Sequence, residues 1–287
     1  MPRRRRFPPS VYGSMPTVMS GGAVGMPAAF GGGDGCPKNA GLGLMVVDDM
    51  PRSVTISVRK RGGDAVAGLD WADAPLSLLA GAVPWRTFRW HAGQKHYSGT
   101  YWSATVADHV IYESRLELGR LLFADFAREV RQIVAQPFLL QAKAGGKVRR
   151  HIPDYLLLTD SGPLVVDVKP QRRLAKPEVA FTFAWTREAV EARGWRYEVW
   201  SEPDPHVLEN IRFLAGYRRD WLFEGELLDE LRVQGLSGRS LGEAFLLLPE
   251  RPRPLVKSAV LHLLWSGYVS TDLERPLSAR HVLVVAA

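Results

Sequence analysis

The chain has 287 residues, 37 basic against 30 acidic side chains (net charge +7), and one cysteine, Cys36. That length allows a sizeable core, and the basic balance favours a polyanionic partner. A single cysteine excludes an internal disulfide and a thiolate metal cage, and it fits a reducing cytoplasm.

Residues 1–43 are rich in Gly, Pro, Ser and Met without periodicity, and are expected to form a disordered basic arm. The arginine run at residues 1–6 leads into Pro and Gly rather than an apolar core, so a secretory signal is not expected. No stretch approaches the roughly 18–20 apolar residues of a membrane span, so the expected location is the cytoplasm, with no membrane partner. The Gly31-Gly32-Gly33-Asp34-Gly35 cluster lacks a preceding strand and a following helix, which argues against a phosphate loop.

Residues 44–84 read as short strands at 44–48 and 54–59, then a linker with about one helical turn over 64–82. From Trp85 to Trp102 the chain is aromatic and polar. A twisted hairpin packing its rings on a core competes there with a base-stacking surface. His91 and His96 lack the partners of a zinc site.

The pattern from Tyr112 onward predicts a helix, with Leu118, Leu121, Leu122 and Phe126 on one stripe. It carries Glu113 and Glu117, four apart and so expected on one face. Glu117 has two readings: a metal-binding acid, or the closing residue of a Ser114-x-x-Glu117 capping box. A strand is expected around 136–140.

The runs 155–158 and 163–168 are apolar and rich in strand formers, and Thr159-Asp160-Ser161-Gly162 between them has turn chemistry. A regular hairpin centred between Asp160 and Ser161 sets Asp154 opposite Asp167, with Cβ atoms roughly 4.5–5.5 Å apart. Lys169 then projects from the same face as Asp167. Two carboxylates so close repel unless a cation lies between them. A hard divalent ion such as Mg²⁺ takes oxygen ligands and keeps waters for substrate. An ammonium beside it would stabilise charge on an attacked phosphate. Lys143, Lys147, Arg149 and Arg150 precede Asp154, and Arg172, Arg173 and Lys176 follow Lys169. Beside a metal site these are candidate phosphate contacts, with His151 an orienting or phosphate-contacting residue.

A helix over 178–193, a strand over 195–200 and an amphipathic helix over 205–219 are expected next. Residues 220–287 read as a separate module: helices at 225–233, 240–248 and 255–265, then strands at 267–273 and 281–285, in the manner of a winged helix. The third helix is too apolar to read bases and suits packing or protein docking.

In its order of elements the chain resembles the αβββαβ core, with a mixed central sheet, of the PD-(D/E)xK or restriction-endonuclease-like nucleases. Within that superfamily it is most similar to the TnsA-type endonuclease subunits of heteromeric transposases. The strings at 112–117, Gln136-Pro137, 150–155 and Asp167-Val168-Lys169-Pro170 carry the resemblance, which covers roughly residues 85–220. It implies an α/β nuclease domain at 85–219 with the catalytic set Glu117, Asp154, Asp167 and Lys169, and with Gln136 as a further active-site contact. Glu113 stands, from the residues alone, as the other candidate for the third metal-site acid. Family members alternate between acid and amide at the position of Asp167, so the resemblance weights Asp154 and Lys169 above it. The implied reaction is Mg²⁺-dependent hydrolysis, with Mn²⁺ able to substitute and the Val168 carbonyl a possible extra ligand. The implied role is cutting the 5′ strand at transposon ends, alongside an integrase-like transposase subunit and an ATPase regulator. Two alternatives stand beside it: a stand-alone restriction or repair nuclease, and a non-catalytic DNA-binding adaptor for a transposase.

Overall fold

The computed structural model describes residues 53–86, 97–144 and 146–285. The expected arm, the strand at 44–48, His91 and His96 lie outside the described residues.

The alternating run β1 (Val54–Arg59) forms as expected, but the supposed linker after it does not stay irregular. It supplies β2 (Ala65–Asp70), which pairs antiparallel with β1, and a short helix α1 (Leu76–Ala80). The β2 pattern was hidden because the strand is mostly exposed and carries Gly68 at positive φ. Next, β3 (Gly99–Ser103) and β4 (Asp108–Tyr112) pair as an antiparallel hairpin. Only the end of the aromatic stretch expected to form one over 85–102 takes part, and residues 87–96 lie outside the described residues.

Tyr112 therefore ends a strand rather than opening a helix, and α2 spans Arg115–Phe126 with Ser114 as its N-cap. Glu113 stands before the cap, so Glu113 and Glu117 do not share a helix face. Ser114 wins the boundary because its hydroxyl accepts from the Glu117 N–H at 3.1 Å.

Strand β5 (Val130–Ala135) follows, then β6 (Leu139–Ala144), β7 (Lys147–His151), β8 (Tyr155–Thr159) and β9 (Gly162–Val168). The strand expected around 136–140 begins only at Leu139, and residues 136–138 are the break between β5 and β6. Pro137 has no N–H to donate, and Gln136 sits at φ 46°. The return crossing, from β7 to β8, also carries a proline, Pro153. In effect β5–β6 and β7–β8 are two arms of one antiparallel ribbon folded at Pro137 and Pro153. Ala135 pairs with Tyr155 before the fold and Leu140 with His151 after it, a slip of one residue.

The ribbon's two halves join two sheets, ordered β5-β8-β9-β10 and β2-β1-β6-β7. Strand β10 (Arg196–Trp200) lies parallel to β9 and is reached through the short helix α3 (Gln171–Leu174) and the longer α4 (Pro177–Ala192). The hairpin β8–β9 has the expected register throughout, from Tyr155 opposite Val166 to Thr159 opposite Gly162.

Alternation along these strands separates two cores. Tyr155, Leu157, Val166 and Val168 pack with Leu121 and Leu122 of α2. Leu156, Val165 and Tyr197 pack on the other face with Phe138 and Leu140 and with Phe183 and Trp185 of α4. Fully burying such a side chain is worth roughly 1.5–3 kcal/mol.

The first core continues into the C-terminal residues. It includes Ile211 and Leu214 of α5 (Pro205–Leu214), Leu227, Leu228 and Leu231 of α6 (Gly225–Val233), and Val260, Leu264 and Trp265 of α8 (Arg253–Trp265). The helix expected over 240–248 is only α7 (Leu241–Ala244), closed by a full Ser240–Glu243 capping box. The expected terminal strands shrink to β11 (Val269–Ser270) against β12 (Val284–Val285). Helix α8 is buried along most of its length, so its apolar surface is spent on packing.

Candidate active site

The fold of the ribbon brings four chain segments to one place: the end of β5, the Pro153 crossing, the end of β9 and the first turn of α2. Asp154 precedes β8 by one residue. The ladder projects it opposite Asp167, and its Oδ2 accepts from the Val168 N–H at 2.6 Å. Its carbonyl accepts from the Gln136 N–H at 2.8 Å.

Burial pushes the Asp154 carboxyl well above its ordinary value, and the charges of Asp167 and Glu117 push it further. The Val168 N–H and Lys169 offset this only in part. Glu117 is likewise raised, first by burial, despite hydrogen bonds from Glu113 and Ser114 and the nearby Lys169. Beneath them the buried Tyr155 hydroxyl is also raised, by burial and then by Glu117, Asp154 and Glu113. Three groups from different elements thus sense one concentration of negative charge.

Both readings of Glu117 meet in one side chain. Its Oε1 accepts from the Ser114 hydroxyl at 2.9 Å and its Oε2 from the Glu113 N–H at 2.6 Å, a cap one residue wider than the usual box. The same carboxylate contributes to the shift of Asp154.

Asp167, only 2% exposed, is engaged from two sides. His151 Nε2 stands 2.9 Å from each of its oxygens, and the Tyr197 hydroxyl donates to Oδ2. Lys169 stands two residues on, its ammonium 6.0 Å from the Phe183 ring centre.

Gln136 is buried and holds a left-handed conformation that costs roughly 1–2 kcal/mol. Its side chain offsets the cost: Oε1 accepts from the Arg86 N–H at 2.9 Å, and Nε2 donates to Glu113 Oε1 at 2.7 Å. Glu113 also pairs with Arg86 at 3.0 Å. Glu113 is therefore tied to Arg86 and Gln136.

The basic candidates divide. Lys147, Arg150, Arg172 and Arg173 are exposed. Arg149 is half-buried, with its guanidinium 4.9 Å from the Phe181 ring centre. His151 binds Asp167.

Among the described residues, no three His, Cys, Asp or Glu side chains converge closely enough to hold an ion as they stand. Their partners explain why: Glu117 is turned into its cap, and Asp167 toward His151 and Tyr197. The donor set nevertheless suits a hard divalent cation. It consists of carboxylate oxygens, partly desolvated, whose mutual repulsion makes the charged state costly until a positive charge arrives.

Residues 127–202 match the family described as TnsA-like endonuclease N terminal. This segment is TnsA-like. The match takes in Gln136, His151, Asp154, Asp167, Lys169 and Tyr197, while Glu117 precedes it. No curated protein matches the chain significantly. Among the described residues, no helix is long and apolar enough to cross a membrane.

Tyr197 and Arg86 were missed by sequence reasoning. Tyr197 meets Asp167 across a parallel pair, diagonally from its partner Val165, and nothing local in the sequence marks such a contact. Its strand's adjacency to 163–168 was the one available signal.

Proposed function

We propose that the chain is a Mg²⁺-dependent DNA endonuclease, the TnsA-like subunit of a heteromeric transposase, acting in the cytoplasm and cutting the 5′ strand at transposon ends. An integrase-like transposase subunit and an ATPase regulator are its partners in this reading. What carries it is the placement of Asp154, Asp167 and Lys169 on one sheet face, inside the segment similar to TnsA-like endonucleases.

Glu117, Asp154 and Asp167, with the Val168 carbonyl, are the residues that would hold the ion, and Mn²⁺ would substitute for Mg²⁺. The bound ion would supply an activated water and polarise the scissile phosphate. Lys169 sits on the face of Asp167 and steadies charge developing on the phosphate oxygens. The Val168 N–H fixes one oxygen of Asp154, which leaves the other for the cation. Gln136 holds Glu113, which is also paired with Arg86, at the margin of the acidic group, where its charge still reaches Glu117. Lys147, Arg149, Arg150, Arg172 and Arg173 neutralise backbone phosphates on either side.

The test is cleavage of end-containing duplex DNA by the full chain with its transposase partner in Mg²⁺. A nick at the 5′ side that vanishes in Asp154→Ala and Lys169→Ala supports the reading. A full-rate nick in either variant overturns the assignment.

A further inference from the structure

His151 belongs to the outer half of the folded ribbon, and Asp167 to the central sheet. Residues 152 and 153 separate it from Asp154 along the chain, yet its ring reaches across to the neighbouring strand's carboxylate. A carboxylate offers only acceptors, so Nε2 carries the proton and shares it between the two oxygens at 2.9 Å each. The ring's other neighbours are the edges of Phe183, at 6.1 Å between centroids, and Trp185, at 6.3 Å. The imidazole is thus held by walls of α4 and by one charge-assisted bond.

Strand β7 is an edge strand and carries Lys147, Arg149 and His151 on one face by alternation. The two ends of this row differ. Lys147 is exposed, Arg149 lies on Phe181, and His151 reaches the acids. The ribbon bends at Pro137 and Pro153. The β5–β8 ladder runs on to the Gln136 N–H and Asp154 carbonyl, and the next cross-ribbon pair is Leu140 with His151. Backbone pairing across the bend itself therefore does not fix the ribbon's angle to the sheet. The His151–Asp167 bond spans that bend.

We infer that His151 is a positioning residue: its bond to Asp167 locks the basic ribbon in register with the acids. Duplex DNA held by Lys147 and Arg149 then meets Asp154 and Lys169 at a fixed offset. This rests on the endonuclease reading above. Tyr197 holds the same carboxylate but from within the central sheet, so it orients Asp167 without touching the ribbon.

The experiment uses the full chain with its transposase partner on end-containing duplex DNA, comparing His151→Ala, His151→Gln and Tyr197→Phe. Duplex affinity is measured without divalent ion, together with the single-turnover cleavage rate and the cut position at nucleotide resolution. His151→Ala is expected to keep affinity within about threefold, slow cleavage about 10–100-fold and spread the cut over neighbouring phosphates. His151→Gln, which restores an N–H at nearly the same reach, recovers the single position. Tyr197→Phe slows cleavage but keeps one position.

A wild-type rate and a single cut in His151→Ala overturn the inference. So does a fall in affinity that parallels the fall in rate, since His151 would then be a phosphate contact. Amide exchange along Lys147–His151 reads the joint without any cleavage. Loss of the bond in His151→Ala should speed exchange there about tenfold, with Tyr197→Phe unchanged. Equal protection in all three overturns the inference. A wild-type chain that fails to cut, yet shows this exchange pattern, sinks the endonuclease reading and leaves the joint standing.

Discussion

Two buried acidic sites lie on opposite ends of helix α2, and they are built on opposite principles. Near its C-terminus Asp125 is only 7% exposed and is fully provided for. It accepts from the Tyr101 hydroxyl at 2.7 Å, the Ser103 hydroxyl at 2.5 Å, and the Ala104 and Thr105 N–H groups at 3.1 and 2.8 Å. No second carboxylate is among these partners. At the N-terminal end Glu117 and Asp167 add to the burial that makes Asp154 hard to ionise, and Glu113 adds to the burial that does the same to Glu117. Both ends bury carboxylates in one protein, so burial alone does not mark a functional acid. The mark is the shortfall: charge that the protein's own donors leave unbalanced.

The largest expected effect separates the two ends by chemistry. Asp154→Ala or Lys169→Ala should lower cleavage by about a hundredfold to a thousandfold or more, measured in single turnover, while the melting curve stays cooperative. Asp125→Ala should do the reverse. It strands several buried donors at a cost of about 2–3 kcal/mol, roughly 4–12 °C in melting temperature, and any remaining folded protein keeps the wild-type rate. Comparable losses of rate per folded molecule in both would erase the contrast.

A smaller effect concerns Gln136, which ties β5 to the loop before α2. Gln136→Gly keeps the left-handed backbone without strain but removes both side-chain bonds, and about 1–2 kcal/mol should be lost. Gln136→Val adds a β-branched side chain at φ 46° and should cost more. Equal melting of the two would show that the conformation there carries no strain.

The pH dependence should report on the acids at the N-terminal end. Asp154 and Glu117 have folded values above their ordinary ones, so their neutral forms are favoured in the metal-free chain. That stabilisation is fully present below the ordinary aspartate value of 3.8 and is lost as pH rises through the raised values. Metal-free protein should therefore lose part of its stability between acid and neutral pH. Since the ion requires ionised oxygens, Mn²⁺ affinity, followed by calorimetry, should weaken as pH falls across the same window. A pH-independent affinity would show that these groups do not hold the ion.

Much of this site was legible in the sequence because it rests on local chemistry. The turn Thr159-Asp160-Ser161-Gly162 fixes the β8–β9 register, and with it the placing of Asp154 opposite Asp167. Ser114 and Glu117 declared a cap, and the cap is there. What stayed hidden depends on contacts distant in the chain. The string 136–140 has the composition of a strand, but the positive φ of Gln136 and the paired crossing at Pro153 make its first three residues a bend, and the strand begins at Leu139. His151 was seen as an orienting residue, but its object, Asp167, lies on another sheet. The sequence left helix α8 open between packing and protein docking, because its apolar residues exceed one face. Its neighbours α5, α6 and α7 cover them, and no periodicity within α8 reveals how many sides will be covered.

The most direct test of the central claim, that the acids at the N-terminal end of α2 are left short of positive charge, is thermal melting at neutral pH. Wild-type chain and Asp154→Asn are compared in EDTA and in excess Mg²⁺. In EDTA the amide should melt higher by about 2–4 °C, since relieving like-charge repulsion across a strand pair is worth up to about 1 kcal/mol. With the ion at about a hundredfold its dissociation constant, only the wild type should gain, by roughly 2.7 kcal/mol. A wild type indifferent to Mg²⁺, together with an amide variant that melts below it in EDTA, would contradict the account.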